Sequence, residues 1–160
     1  MAAPRMPGAG SDLPAIHVLP GQLDVSLEPR RFTTVLGSCI AVCLWCPRLR
    51  AGGMNHFVLP NHAGEEFGAK FGNVAMPKLI GRMGEIGCRT SDLQAKLFGG
   101  ASMLAHAGKA GETIGDKNAK VALEMLRIAG VPVIARDLGG RRGRKVEFHS
   151  GDGSAWVKLL

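Results

Sequence analysis

Two side chains in the first half of the chain are of the types that covalent acyl chemistry requires. Cys39 directly follows Gly37-Ser38, and His56 lies in Gly53-Met-Asn-His56-Phe. A thiol attacks as its thiolate, and a nearby imidazole draws the proton from sulfur and later returns one to a leaving group. Gly37 permits a tight turn, and backbone N–H groups exposed around Gly37, Ser38 and Cys39 would support an oxyanion. Thr33 and Thr34 stand just upstream. A hydroxyl or carbonyl there would orient the imidazole, as third members of catalytic triads do. The expected chemistry is attack on an acyl carbon. An ion-paired Cys39 would then titrate below the ~8.5 of a free thiol.

These side chains act together only if the chain folds them together. Cys39-Ile-Ala-Val-Cys-Leu-Trp is β-branched and short, which predicts a buried strand over 39–45. A second apolar element is predicted over 54–59, ended by Pro60-Asn61, with a turn over 47–53. The resulting hairpin returns His56 toward Cys39. Cys43 and Cys46 lie deeper in the apolar run, where burial raises a thiol's pKa and lowers its reactivity. The spacing Cys39-x3-Cys43-x2-Cys46 also occurs in radical enzymes that hold iron–sulfur clusters. Along a strand, however, Cys39 and Cys43 stand ~13 Å apart and Cys46 faces the other side. One metal cannot take all three, and no cofactor is expected. His17, His62, His106 and His149 have no setting comparable to that of His56.

The remaining elements follow from periodicity and punctuation. Residues 1–14, rich in Pro, Gly and Ala, read as a flexible arm before a domain over 15–160. A short strand is expected at 16–19, a weak continuation at 24–27 and a β-rich stretch at 33–36. A loop over 60–73 leads to a helix carrying Met76, Leu79, Ile80 and Met83 on one face, with Pro77 in its first turn and Gly87 after its end. A strand over 93–98 precedes a helix over 116–129, closed by Gly130. Strands over 131–135, 145–149 and 155–160 complete the chain, with a mobile basic turn at 139–143. Strands this dense exclude a regular βαβ alternation and predict one α/β domain.

Composition bounds the function. With 46% hydrophobic and 21% charged residues, 160 residues suffice for one core without disulfides. No apolar run reaches the ~20 residues of a spanning helix, and the N-terminal residues lack the apolar stretch of a secretory signal. A cytoplasmic protein with four free thiols is therefore expected, with no membrane insertion. The net charge of +7 favours acidic partners. A nucleic-acid binder finds no support beyond that charge, because no basic stretch is interleaved with aromatics.

The residues around the candidate pair also carry a resemblance. Thr33-Thr-Val-Leu-Gly-Ser-Cys39-Ile-Ala-Val-Cys43, then Gly53-Met-Asn-His56-Phe-Val-Leu-Pro60, resembles CheD, the chemoreceptor glutamine deamidase family of bacterial chemotaxis. Phe71-Gly-Asn-Val-Ala-Met76, Lys96-Leu-Phe-Gly-Gly-Ala-Ser-Met103, Ile114-Gly-Asp-Lys-Asn118 and Asp137-Leu-Gly-Gly-Arg-Arg-Gly-Arg144 with Val146-Glu-Phe148 continue it in order. The resemblance implies an α/β (α+β) fold: a single layered sandwich with mixed β-sheet packed by about two to three helices, related to toxin-type glutamine deamidase domains. It implies hydrolysis of receptor glutamines to glutamate through a cysteine thioester, with Cys39, His56 and Thr33 as catalytic residues. Chemoreceptor cytoplasmic domains are the implied partner, and a CheC-type phosphatase a further one. Cys46, the Thr34-Val35 spacer and Pro77 depart from the family's usual residues without touching those three positions. The competing reading is a non-catalytic adaptor for chemoreceptors or a phosphatase. The basic turn 141–145 is expected to meet an acidic surface.

Overall fold

The computed structural model describes residues 12–61, 68–102 and 111–160. Most of the expected N-terminal arm, and His62 and His106, lie outside the described residues. The elements run β1 (Ala15–His17), β2 (Leu23–Ser26), β3 (Arg31–Leu36), β4 (Ile40–Cys46), β5 (Ala51–Phe57), α1 (Gly72–Glu85), a 3-10 turn (Thr90–Asp92), β6 (Gln94–Gly99), α2 (Ile114–Ala129), β7 (Val133–Leu138), β8 (Arg144–His149) and β9 (Ala155–Leu159). One sheet has the order β1-β3-β8-β9 and the other β2-β5-β4-β6-β7. Both are mixed: β1 lies parallel to β3 and β6 to β7, and the other pairs are antiparallel.

The period-two alternation of β4 sorts its side chains into two layers. Ile40, Val42, Leu44 and Cys46 bury with Met76, Leu79 and Met83 of α1 and Ala122 and Leu126 of α2. Ala41 and Cys43 face the other way, into a cluster with Phe32, Leu36, Met54, Phe98, Val146 and Phe148. The layers are thus helices, five-stranded sheet, four-stranded sheet, the layered sandwich expected. Each large side chain fully buried between the sheets contributes about 2 kcal/mol of transfer free energy.

Several boundaries shift by one to three residues from expectation, as where β7 runs Val133–Leu138, and two shifts have physical reasons. β5 begins at Ala51, so Gly52 and Gly53 are strand and not turn. A Cβ on Gly53 would lie 2.6 Å from the Asp24 carbonyl oxygen, so these glycines admit close neighbours on the pleat. Helix α1 begins at Gly72, which places Pro77 in its interior. Its first N–H groups are met from outside: Gly72 N–H donates to Leu59 O at 2.8 Å and Asn73 N–H to Pro60 O at 3.1 Å. Such long-range partners leave no local sequence signal. Helix α2 is capped by Thr113, whose hydroxyl accepts from Asp116 N–H, while Gly130 ends it in the left-handed region at φ 74°.

Candidate active site

Cys39 occupies the turn between β3 and β4, half-buried against the inter-sheet cluster. The antiparallel register sets Ala41 opposite His56. Alternation therefore puts Cys39, Ala41 and Cys43 on the face that His56 and Met54 present from β5. The expected hairpin does bring the thiol and the imidazole to one side of one sheet. Cys46 projects to the helix side, so the three cysteines of the 39–46 run do not converge.

His56 is buried. Its Nδ1 lies 2.8 Å from Thr34 Oγ1 and 3.2 Å from the Val18 carbonyl oxygen. The Thr34 hydroxyl itself donates to that carbonyl at 2.6 Å, so its oxygen is left to accept. A carbonyl only accepts, and Nδ1 therefore carries the ring proton. Nε2 is left as the basic nitrogen, and it has no hydrogen-bond partner among the described residues. Burial lowers the His56 pKa, partly offset by the Val18 carbonyl. Asn55, next in β5, faces the opposite layer, donating to Ala75 O at 3.3 Å and accepting from Val42 N–H at 3.0 Å. It pins the His56 strand to β4 and α1.

Of the paired threonines the structure brings Thr34, not Thr33, to His56. Neighbours on a strand point to opposite faces, and Thr33 points outward, with Oγ1 2.7 Å from His17 Nδ1. Both threonines line a cavity of about 350 Å³ shared with His17, Val35, His56 and Lys145.

Burial raises the Cys39 pKa, and a hydrogen bond from its own backbone pulls it back. The imidazole is pushed down and the thiol up, and both shifts favour the neutral forms. The expected ion pair with a low thiol pKa is not what this environment favours. Burial raises Cys43 much further, as expected for a thiol inside an apolar layer. Cys88 is pushed up to about 12 by burial and then by its contact with Cys46.

The turn at Cys39 is tied down through its carbonyls. Gly37 O accepts from Ala101 N–H at 3.0 Å, Ser38 O from Asn118 Nδ2 at 2.9 Å and Cys39 O from Gly100 N–H at 2.9 Å. Beneath it the backbones touch. A Cβ on Gly99 would lie 2.1 Å from Cys39 O, and one on Gly115 2.2 Å from Gly100 O. Arg144 completes the support. Its buried guanidinium donates to Gly99 O at 3.1 Å, Gly139 O at 2.7 Å and Asp137 Oδ1 at 3.1 Å. Arg144 is therefore part of the scaffold and not of a solvated basic turn, a correction to its expected role. Asn118 was missed as a site residue, although it stands on the buried stripe Asn118, Ala122, Leu126 of α2, where a polar residue needs a partner.

Comparison with known proteins identifies the family. The family described as CheD chemotactic sensory transduction matches residues 58–159. A protein of Anaeromyxobacter dehalogenans named probable chemoreceptor glutamine deamidase CheD 1 is 47% identical, over 99% of this chain and 92% of its own length. A probable chemoreceptor glutamine deamidase CheD of Rhodospirillum rubrum is 43% identical, over 94% of this chain and 85% of its own. Among solved structures, the Bacillus licheniformis hypothetical protein YfiH superposes with a TM-score of 0.50 at 14% identity. That likeness concerns the fold alone, covering 72% of this chain, which spans about half (49%) of the other. A matched family extending through most of the chain, with relatives above 40% identity over nearly all of it, shows that this chain belongs to the CheD family.

Proposed function

We propose that the protein hydrolyses glutamine side chains of chemoreceptors to glutamate and ammonia through a thioester on Cys39. The observation that carries the reading is the His56 ring. Its Nδ1 is committed to Thr34 and the Val18 carbonyl, leaving a basic Nε2 on the face shared with Cys39.

The thiol proton passes to His56 Nε2 as sulfur attacks the carboxamide carbon. The carbonyl π pair moves to oxygen, and the N–H groups of the Ser38–Cys39 turn receive that oxyanion. Collapse breaks the C–N bond, and the imidazolium gives its proton to the departing nitrogen, which leaves as ammonia. Water then loses a proton to Nε2 and attacks the thioester. Cleavage of C–S releases the glutamate side chain and restores the thiol. Thr34 holds the ring, and Thr33 enters as a wall of the cavity beside it.

The substrate class follows the printed names of the relatives, which are chemoreceptor glutamine deamidases. Chemoreceptor cytoplasmic domains as partner place the work in the cytoplasm, and no helix among the described residues is long and apolar enough to cross a membrane. A CheC-type phosphatase is the second partner this reading admits.

The test is mass spectrometry of a receptor cytoplasmic fragment, reading amide-to-acid conversion. Cys39→Ala should abolish it and Cys43→Ser should retain it in the folded fraction. Continued conversion by Cys39→Ala would sink the mechanism, and receptor binding without conversion by the wild type would favour an adaptor.

A further inference from the structure

Asn118 sits fully buried in the second turn of α2. Its Nδ2 donates to Ser38 O at 2.9 Å and to Val58 O at 2.9 Å. Carbonyl oxygens only accept, so these two partners fix which way the amide faces. Its Oδ1 has no hydrogen-bond partner among the described residues. Everything this side chain does by hydrogen bonding therefore passes through one NH2 group. That group joins two backbone points distant in sequence but adjacent in the site: the residue before Cys39, and the residue that follows β5 just beyond His56.

The Ser38 bond has a directional consequence. In a planar trans peptide the C=O and the following N–H point in opposite directions. Holding Ser38 O against α2 turns the Cys39 N–H away from α2. Cys39 packs against the inter-sheet layer, on the opposite face of the sheet from α2, so its N–H and the sulfur share a side. The N–H is thus placed where a carbonyl oxygen bonded to an attacked carbon would develop charge. A buried Asn in an apolar helix stripe is a poor choice for stability unless its donors are used. Here both are used on the site.

We propose that Asn118 is a positioning residue for the deamidation: it aims the Cys39 N–H at the oxyanion and, through Val58, keeps that donor in register with His56. The inference rests on Cys39 being the nucleophile. An interaction made only when the oxygen is charged is lost from kcat and not from KM. Alkylation of Cys39 by iodoacetamide is a displacement at saturated carbon that builds no oxyanion, so it reports the sulfur without the donor.

The experiment compares wild type, Asn118→Ala, Asn118→Asp and Cys39→Ala, full length, for receptor-fragment deamidation, Cys39 alkylation and thermal unfolding. Both Asn118 variants should lose kcat by about thirty- to a hundredfold, with KM and alkylation each within about threefold of wild type. Asn118→Asp differs from Asn only in the group facing the two carbonyls. Its ionised form offers no donor and its protonated form offers one. Its kcat relative to wild type should therefore rise as pH falls, which Asn118→Ala cannot show. Turnover within twofold of wild type in either variant overturns the proposal. So does alkylation falling in parallel with kcat, or an Asn118→Asp chain that does not fold, since the residue would then be holding the fold and not the donor. Conversion by Cys39→Ala would instead overturn the underlying site assignment, so the two failures are read separately.

Discussion

The Thr34 hydroxyl lies 2.8 Å from His56 Nδ1 while donating a hydrogen bond to Val18 O at 2.6 Å. The hydroxyl and the carbonyl together decide which ring nitrogen is basic. Thr33, one residue earlier, spends its hydroxyl on His17 outside the inter-sheet layer.

The two threonines are therefore separable by mutation. Thr34→Val keeps the shape and removes the acceptor at Nδ1, so the ring loses a neutral hydrogen bond worth about 1 kcal/mol and the bias toward the productive tautomer. Deamidation should fall about tenfold or more. Thr33→Val should stay within about threefold, since it touches the ring only through the shared cavity. Equal losses in the two variants, or a larger loss in Thr33→Val, would transfer the third catalytic role to Thr33.

Acidity should act through His56. Burial holds its folded-state pKa below the ~6.5 of a free imidazole. The acid limb of kcat/KM should accordingly bend below ~6.5, because the neutral ring is the base. Stability has the same sign. Between the folded value and ~6.5 the unfolded chain binds more protons, so stability falls as pH drops through that window. His56→Gln should flatten that part of a thermal-unfolding series. A wild-type acid limb bending above 7 would contradict a depressed His56.

The thiol should behave as a raised group. The alkylation rate of Cys39 should climb steadily with pH beyond the ~8.5 of a free thiol, with no plateau at neutral pH. A plateau reached near pH 6 that disappears in His56→Gln would restore the ion pair.

Basic residues of the 141–145 turn should divide into two kinds. Arg141 is exposed. Arg141→Ser should slow receptor capture at low salt and leave saturated turnover unchanged, since screening at ~0.15 M reaches only about 8 Å. Arg144→Met removes donors from Gly99 O, Gly139 O and Asp137 at once. It should cost about 2–3 kcal/mol, read as a lower denaturant midpoint at unchanged slope. An unchanged midpoint would show that the guanidinium does not carry the turn.

What could be read from the chain alone was what depends on short range. The β4–β5 hairpin was readable because β-branching, a turn and two apolar runs are local, and it alone brings Cys39 and His56 to one face. The choice between Thr33 and Thr34 was not, since it depends on β1 running parallel to β3 and delivering Val18 O. The supports at Asn118 and Arg144 bind backbone carbonyls far along the chain, and a carbonyl has no sequence signature. Asn118 still left a trace, a polar residue at the helical spacing of Ala122 and Leu126. Gly52 and Gly53 were misread because a strand glycine and a turn glycine look alike until the neighbouring strand is in place.

The backbone contacts under the nucleophile also set a timescale. Where Gly115 meets Gly100 and Gly99 meets Cys39 O, no side chain intervenes that could rotate and let the turn breathe. The amides of Gly100 and Ala101 donate into this junction, so they belong with the slowest hydrogen exchangers of the molecule, opening only with the core. Gly115→Ala should wedge the junction and speed their exchange along with that of the central strands. An enzyme built this way holds the backbone of its nucleophile still, and the carboxamide must come to it.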